Sequence, residues 1–370
     1  MKMIRMKCIT MCLSFLSLVQ LSQAQVGTIF DVEGLSYEVK SIIPNHVEVK
    51  ANLNPSAEDV NIPYNVSHGL LNYLVESVGP RSFEFNSLKT VKVSHAVNWL
   101  KTACFRQTKL QRFECPDELY DIFDAAFEGC TELDTVVTNR MLKRIHQYAF
   151  KDCEKLKFIE FPNTLETIEA YAFQECNFVN LTLPDVPFVM GEGAFNGCDS
   201  LLELNLGNGI VDIPKWAFNE HRLPEIIIPD QVRTIGYAAF KRQSTFRPLQ
   251  RIILGSNVND IAMYAFLCSF DYVKEILCKA EVPPTCHAQA FDEMTYDNGT
   301  LYVPKECADA YKTDPTWGKF QNIIEMDMAN IQNMIDKKER SSEIYSLSGI
   351  RLTHPTHGIK VIDQKKIIVK

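Results

Sequence analysis

The sequence predicts a solenoid, a fold in which short repeats stack on one another, and three observations predict it. A phenylalanine recurs ten times at spacings of 22 to 26 residues. A small residue directly precedes each of these phenylalanines, and an apolar residue stands five positions before it. Self-similarity at a fixed period of about 20 to 50 residues is typical of repeat architectures. The recurring phenylalanines are Phe83, Phe105, Phe127, Phe150, Phe173, Phe195, Phe218, Phe240, Phe266 and Phe291.

A second shared pattern, L-x-x-I-x-L closed by Pro or Gly, lies between the phenylalanines. It reads "LKFIEFP" at 156–162, "LPEIIIP" at 223–229 and "LQRIILG" at 249–255. Alternating apolar residues with β-branched content predict a short strand. Each repeat is therefore predicted as a strand, a turn, an irregular or helical segment, the phenylalanine and a second turn. One such unit cannot bury its own apolar side, so successive repeats must stack.

The recurring phenylalanine is interpreted as the filler of one turn of the solenoid core. The small residue before it lets the neighbouring coil approach, and the aliphatic residue packs into the same column. A stripe of aromatic residues for ligand stacking is the alternative interpretation. Occurrence at every turn favours core over ligand binding.

The cysteines follow the same period. Residues 25–370 contain ten, and four of them stand three residues after a recurring phenylalanine. A column of buried thiols accounts for these four, although turns about 4.8 Å apart leave a disulfide within the column geometrically open. Cys268, Cys278, Cys286 and Cys307 are less regular, and the sequence assigns them no disulfide state. The four regular positions are Cys130, Cys153, Cys176 and Cys198.

Residues 1–24 are predicted to be a secretory signal peptide. Lys2, Arg5 and Lys7 precede an apolar run, and small residues before Gln25 predict cleavage after Ala24. The run is shorter than the roughly 20 apolar residues that a transmembrane helix needs. Cleavage removes three basic residues and no acidic one, so the formal net charge falls from −8 to −11. Nucleic acid is therefore not expected as a partner, because phosphate binding needs clustered Lys and Arg.

The segments "TIEAYAF" at 167–173 and "TIGYAAF" at 234–240 follow strands that end in proline. They resemble the BspA-type leucine-rich repeat, found mainly in secreted and surface proteins of Bacteroidales. The resemblance covers about residues 78–325 and implies a right-handed, β-rich leucine-rich repeat solenoid of about ten repeats. "FDVEGLSYEV" at 30–39 resembles the family's N-terminal hairpin cap, which places a β cap at 25–77. Residues 300–325 resemble its C-terminal cap, a strand and a helix around Tyr311 anchored by Trp317.

The C-terminal residues form two further predicted segments. Residues 326–342 are predicted to be a linker or a short helix, and residues 343–370 a small β-module of two hairpins. The module resembles a segment common at the C-terminus of exported Bacteroidales proteins, which in longer versions directs secretion and attachment to the outer membrane. A sorting signal and a plain β-module both remain open for this shorter copy.

Catalytic and ligand-binding motifs are not found in the sequence. The eight histidines stand singly, without H-E-x-x-H, G-x-S-x-G or a phosphate-binding glycine loop. His354 and His357 could supply half a metal site, but a turn at "HPTHG" explains them better. The sequence thus predicts neither an enzyme nor a cofactor or metal site. The family resemblance implies adhesion to, or binding of, a host or cell-surface protein through the sheet face; the alternative is a structural or glycan-interacting cell-envelope protein.

A candidate binding surface follows from the strands. In L-x-x-I-x-L the penultimate residue points away from the core, because side chains alternate across a strand. This position is mostly polar in the first six repeats (Lys92, Glu114, Val137, Glu160, Thr182 and Asn205) and apolar afterwards. The predicted exposed stripe is Ile227, Ile253, Leu277 and Tyr302, with Glu225, Arg251 and Glu275 as a polar rim. Contiguous apolar surface often marks an interface; the alternative is that the C-terminal module or residues 326–342 cover the stripe.

Overall fold

The computed structural model describes residues 25–242 and 249–327 in full, together with the backbone of four strands between 344 and 369. The predicted signal peptide, most of the predicted linker and the turns of the C-terminal module lie outside the described residues. The chain divides into two compact units. The first comprises Met1–Phe178 and Phe188–Asn196, and the second comprises Val179–Pro187 and Gly197–Lys370.

Short strands dominate the described chain, and its helices are only one or two turns long. The helices are α1 (Glu293–Asn298) and α2 (Ala308–Thr313), followed by a 3₁₀ turn at Trp317–Lys319. The strands up to the middle of the chain are β1 (Ile29–Val32), β2 (Leu35–Ile42), β3 (Asn45–Asn52), β4 (Asp59–Ile62), β5 (Asn65–His68), β6 (Leu71–Val78), β7 (Thr90–Val93), β8 (Trp99–Leu100), β9 (Arg112–Glu114), β10 (Asp121–Ile122), β11 (Thr135–Val137), β12 (Arg144–Ile145), β13 (Phe158–Ile159), β14 (Thr167–Ile168), β15 (Asn180–Thr182) and β16 (Val189–Met190). The remaining strands are β17 (Glu203–Asn205), β18 (Asp212–Ile213), β19 (Glu225–Ile227), β20 (Thr234–Ile235), β21 (Arg251–Leu254), β22 (Asp260–Ile261), β23 (Glu275–Cys278), β24 (Thr285–Cys286), β25 (Thr300–Pro304), β26 (Asn322–Met326), β27 (Ile344–Tyr345), β28 (Arg351–Leu352), β29 (Gly358–Ile362) and β30 (Lys365–Val369).

The first unit begins with the hairpin cap that the sequence predicts. Strands β1 and β2 are antiparallel, as are β2 and β3. Strand β3 then pairs in parallel with β6, and β6 pairs in parallel with β8 of the repeats. Val39, Val47 and Val75 are fully buried on these strands. The cap therefore covers the apolar end of the repeat array with its own alternating apolar residues.

Each repeat contains a second strand that the sequence analysis assigned to an irregular or helical segment. In the first unit β8, β10, β12, β14 and β16 form one parallel ladder in which the aliphatic residues five before the phenylalanines are aligned. In the second unit β18, β20, β22 and β24 do the same. The prediction of an irregular segment is therefore wrong. The sequence did not reveal these strands because two residues are too few to show alternation and because the strand that each one pairs with lies a full repeat away in the chain.

The L-x-x-I-x-L segments form separate parallel ladders. Strands β9, β11 and β13 pair in the first unit. In the second unit β15 pairs with β17, and β19, β21, β23, β25 and β26 form a five-stranded sheet. Both units are therefore leucine-rich repeat β-solenoid, as the repeats predict.

The recurring phenylalanines are the core of both units, as predicted. All ten are at most 2% exposed. In the first unit consecutive rings stack with centroids 5.0 to 5.4 Å apart. In the second unit the spacing is 5.3 to 5.6 Å. The small residue before each ring is buried as well, which is what allows turns to approach at this distance.

The regular cysteines are buried free thiols. In the first unit each thiol donates to the carbonyl of a phenylalanine on the preceding turn: Cys130 to Phe105 at 3.0 Å and Cys153 to Phe127 at 3.2 Å. The same contact joins Cys176 to Phe150 at 3.2 Å. Cys268, Cys278, Cys286 and Cys307 are free too. The column of hydrogen-bonded thiols is thus confirmed for Cys130, Cys153 and Cys176, and none of the cysteines in the described residues forms a disulfide.

The C-terminal cap closes the repeats of the second unit. Trp317 is fully buried and its indole Nε1 donates to the carbonyl of Pro284 at 2.8 Å. The Tyr311 hydroxyl on α2 donates to the carbonyl of Ala280 at 2.6 Å. Strand β26 runs to Met326, one residue beyond the predicted end of the cap. Beyond it, β27 pairs with β28 and β29 with β30, which gives the antiparallel strands of two hairpins in a four-stranded sheet.

Candidate functional site

The predicted apolar stripe is a single row on the five-stranded sheet of the second unit. Ile227 lies opposite Ile253, Ile253 opposite Leu277, and Leu277 opposite Tyr302. Strand β26 extends the row with Ile324. The spacing of the repeats therefore placed these side chains in the correct relative order.

The exposure of the row differs from the prediction. Ile253 and Leu277 are each 1% exposed, so the expectation that they face solvent is wrong. They form a small cluster of their own, against which Ile227, Tyr302 and Met326 pack as partly buried neighbours. Alternation within one strand shows which face a side chain occupies, but it carries no information about what lies on that face. The sequence suggested two covers, residues 326–342 and the C-terminal module; residues 328–342 and the turns of that module lie outside the described residues.

The predicted polar rim is a three-residue ion-pair network. The Arg251 guanidinium donates to Glu275 Oε2 through Nη2 at 2.5 Å and through Nε at 2.7 Å. On the other side Arg251 Nη1 lies 3.5 Å from Glu225 Oε1. All three side chains are only partly exposed, so they are held in place more firmly than isolated surface pairs. The rim fixes a charge pattern of alternating sign beside the apolar row.

The earlier repeats carry the polar face that the sequence predicts. On the first unit Lys92, Glu114 and Val137 are exposed, and Glu160 is partly buried. On the second unit Thr182 and Asn205 are exposed. On the second unit, the apolar row on the later strands therefore differs from the polar residues at the same position on β15 and β17.

A charged cluster on the first unit was missed by the sequence analysis, which treated the histidines as isolated. His146 follows β12, and its Nδ1 lies 3.0 Å from Glu169 Oε1 on the next turn. Its Nε2 lies 3.9 Å from Asp121 Oδ1 on the preceding turn. Asp121 is 2% exposed and accepts two hydrogen bonds from the Arg144 guanidinium, at 2.6 and 2.9 Å. Alignment of the repeats by position would have revealed the cluster.

The pKa values in this cluster are shifted by mutual attraction. Burial by itself would raise the pKa of Asp121, but the interactions with His146 and Arg144 outweigh it and lower the pKa to about 2. The pKa of His146 is raised above 6.5, chiefly by Asp121 and against a smaller opposing effect of burial, with Glu169 adding to the increase. The contact between Asp121 and His146 is therefore strongest when the Asp121 carboxylate is ionised and the His146 imidazole is protonated.

Two tyrosines on the first unit line an open groove. The rings of Tyr148 and Tyr171 stack with centroids 5.7 Å apart and planes 18° apart. Together with Glu128, Lys151 and Gln174 they enclose about 360 Å³. Both tyrosines have positive φ, 58° and 56°, a conformation that L-residues rarely adopt. The tyrosines stand two residues before recurring phenylalanines, so the same repeat alignment locates them.

The fold defines the class of protein, a leucine-rich repeat solenoid, and comparison identifies its family. The family described as "BspA type Leucine rich repeat region" matches in six copies over residues 63–179, 124–247 and 166–294. The chain belongs to this family. No curated protein matches the chain. In the described residues, no helix has both the length and the apolar character that crossing a membrane requires.

Several solved structures are similar to this chain at low identity. A leucine-rich cell surface protein from Faecalibacterium prausnitzii A2-165 is 17% identical, with 84% of this chain and 98% of that chain covered and a TM-score of 0.41. A leucine-rich repeat protein from Bacteroides ovatus ATCC 8483 is 19% identical, with 80% and 76% covered and a TM-score of 0.41. The pneumococcal vaccine antigen PcpA is 17% identical, with 82% and 100% covered and a TM-score of 0.40.

Proposed function

We propose that the chain is a secreted or cell-surface module for protein binding or adhesion that acts through the outer sheet face of its solenoid. The observation that carries the proposal is the row from Ile227 to Tyr302, four apolar side chains on adjacent strands beside a charged rim. Burial of apolar surface is the main driving force of protein association. Family membership and the predicted signal peptide support an extracellular location.

The proposed occupant of the row is an extended segment of another protein with apolar side chains. Such a segment would lie across the strands and would place charges of its own beside Glu225, Arg251 and Glu275. Because Ile253 and Leu277 are already buried in the isolated chain, an outside segment has to compete with whatever covers them. The competitors considered from the sequence are the chain's own residues 326–342 and its C-terminal module.

The test is the double substitution Ile227→Asp and Ile253→Asp, with Thr182→Asp and Asn205→Asp as the matched control at the same strand position. Binding to a panel of purified extracellular-matrix proteins is measured by biolayer interferometry, and folding is checked by circular dichroism. We expect saturable binding by the wild type and by the control. Binding should be weakened at least about tenfold in Ile227→Asp/Ile253→Asp, which corresponds to a loss of about 1.4 kcal/mol of binding free energy.

Other outcomes contradict the proposal. If the apolar-row variant unfolds, the row is needed for folding and is not a surface free to bind a partner. If binding is unaffected and trypsin cleaves the variant faster at Lys337 or Arg340, the chain's own segment occupies the row. Protease treatment of intact cells that leaves the protein uncleaved would contradict the surface location.

A glycan-binding role in the cell envelope is the second candidate, and the groove at Tyr148 and Tyr171 favours it. Aromatic rings flanked by Glu128, Lys151 and Gln174 combine apolar contact with hydrogen-bonding groups. The test is affinity gel electrophoresis in soluble β-glucan and in galactomannan. Glycan binding would be supported if the polysaccharide retards the wild type but not Tyr148→Ala/Tyr171→Ala. The control Tyr64→Ala, which replaces an exposed tyrosine, should still be retarded. Equal mobility with and without polysaccharide would exclude binding of these two glycans.

A further inference from the structure

The geometry points to a divalent transition-metal site on the first unit, formed by Asp124, His146 and Glu169, with a donor set that Zn²⁺ accepts. One donor atom of each residue lies within 4.8 Å of the other two. The inference is independent of the proposed protein-binding face, which lies on the second unit.

The solenoid itself brings the three side chains together. Ile122, Ile145 and Ile168 are aligned across β10, β12 and β14. His146 and Glu169 directly follow the last two of these residues, so they occupy equivalent positions on neighbouring turns about one strand spacing apart. Asp124 follows β10 two residues after Ile122 and is exposed, so its carboxylate can turn toward the other two.

Two of the three donor atoms are already close to coordination geometry, and the Asp124 carboxylate lies within 4.8 Å of both. Zn²⁺ binds imidazole nitrogen and carboxylate oxygen at about 2.0 to 2.2 Å, so that two tetrahedral ligand atoms lie about 3.4 Å apart. His146 Nδ1 and Glu169 Oε1 are 3.0 Å apart. To hold an ion between them, these two atoms therefore need to move apart by only a few tenths of an ångström. The ion then replaces the His–Glu hydrogen bond with two metal–ligand bonds.

The two partly buried ligands are oriented by neighbours that keep them in place. The His146 imidazole stacks on the Phe123 ring at 4.7 Å with 9° between the planes. Its second nitrogen, Nε2, faces the buried carboxylate of Asp121 at 3.9 Å and has no hydrogen-bond partner. Metal-bound histidines commonly direct their other ring nitrogen to a carboxylate in this way. Glu169 is oriented as well, because its Oε2 accepts from the Gln147 backbone N–H at 3.2 Å.

The donor set selects the class of ion. Imidazole suits Zn²⁺, Cu²⁺, Fe²⁺ and Ni²⁺, whereas Ca²⁺ and Mg²⁺ prefer oxygen ligands alone. Three protein ligands leave a fourth tetrahedral position for water or for a side chain of a partner. Two cations of the first unit have partners of their own: Arg144 bonds Asp121, and Lys101 lies over the rings of Trp99 and Phe123. The charge of Arg144 is therefore paired with a carboxylate that is not one of the three ligands.

The test is isothermal titration of metal-free protein, residues 25–370 without a polyhistidine tag, with Zn²⁺ near neutral pH. Binding of one ion is expected, with affinity weakened at least about tenfold in His146→Gln and in Glu169→Gln. The matched control is His287→Gln, because His287 occupies the same repeat position after β24, on the second unit. It should bind Zn²⁺ like the wild type, as should His354→Gln/His357→Gln.

Co²⁺ supplies a second readout, because thiolate ligation gives an intense charge-transfer absorption and nitrogen or oxygen ligation does not. We expect the wild type with Co²⁺ to show a d–d spectrum without that charge-transfer absorption. The d–d spectrum should be lost in His146→Gln. Unchanged affinity in a folded His146→Gln variant, or loss of binding in His354→Gln/His357→Gln, overturns the site. A thiolate spectrum overturns it too, because the ion would then be held by cysteine.

Discussion

The rings of Phe150 and Phe173 lie parallel on consecutive turns, with centroids 5.2 Å apart and 2° between their planes. Phe161 and Phe178 contact the Phe173 ring edge-on, at 5.6 and 5.8 Å. The Phe173 ring thus stacks on a ring of the neighbouring turn and contacts the edges of two further rings on the strand side, so it fills the width of its turn. The repeated phenylalanine is therefore what joins each turn to the next.

Replacing Phe173 with alanine should destabilise the protein by about 3 to 5 kcal/mol, because it leaves a cavity between two stacked turns. Chemical denaturation followed by circular dichroism measures the change. The control is Phe270→Ala, whose side chain is 67% exposed and which should stay within about 0.5 kcal/mol of the wild type. An unchanged denaturation midpoint for Phe173→Ala would show that the repeats are misaligned.

The cysteine thiols should react slowly in the native protein. Burial raises the pKa of Cys130 to about 11, against smaller opposing effects of hydrogen bonds, and burial raises the pKa of Cys115 to about 12. Because the thiolate is the reactive form, 5,5′-dithiobis(2-nitrobenzoic acid) should release little colour before unfolding. In denaturant, residues 25–370 should show ten free thiols. Fewer than ten under anaerobic, non-reducing conditions would indicate disulfides.

Stability should depend on pH through Asp121 and His146. The folded pKa of Asp121, about 2, lies below its ordinary 3.8. Its contribution, about 2 kcal/mol, is therefore present above pH 3.8 and is lost as pH falls through about 2. The pKa of His146 is raised. The stabilising contribution of His146 is therefore complete below pH 6.5 and is lost as pH rises through its folded pKa.

Melting temperatures of Asp121→Asn and His146→Gln across this pH range test both contributions. Asp121→Asn should flatten the acid limb, and His146→Gln should remove the decline above pH 6.5. Asp212→Asn is the matched control, because Asp212 begins β18 as Asp121 begins β10 but is exposed. A control with the same effect as Asp121→Asn would mean that the buried cluster is not the cause.

The C-terminal cap should depend on the Tyr311 hydroxyl. Tyr311→Phe leaves the Ala280 carbonyl without its 2.6 Å hydrogen bond inside a buried site, which should cost about 1 to 3 kcal/mol. Hydrogen exchange should speed up most in β25 of the cap and in β23, the strand that pairs with it. Tyr64→Phe is the control, because Tyr64 is 48% exposed. Equal stability of both variants would show that the hydroxyl bond contributes nothing to the cap.

The sequence by itself determined the repeat frame, the core column and the order of side chains along the outer sheet face. These features are periodic: a phenylalanine, a small residue and an aliphatic residue recur in every turn because each turn must fill the same space. The cap residues Tyr311 and Trp317 do not recur in the chain, and only the family resemblance pointed to them. Family resemblance supplied the boundaries of the caps.

Only the tertiary structure decided the features that depend on contacts between turns. The second strand of each repeat is two residues long, and its hydrogen bonds go to another repeat. Ile253 and Leu277 are on the predicted face, but their burial depends on what lies above that face. His146 meets Asp121 and Glu169 only because stacking aligns residues that are more than 20 positions apart in the chain. Periodicity fixes the position of a side chain within its turn, whereas its partners are set by the neighbouring turns.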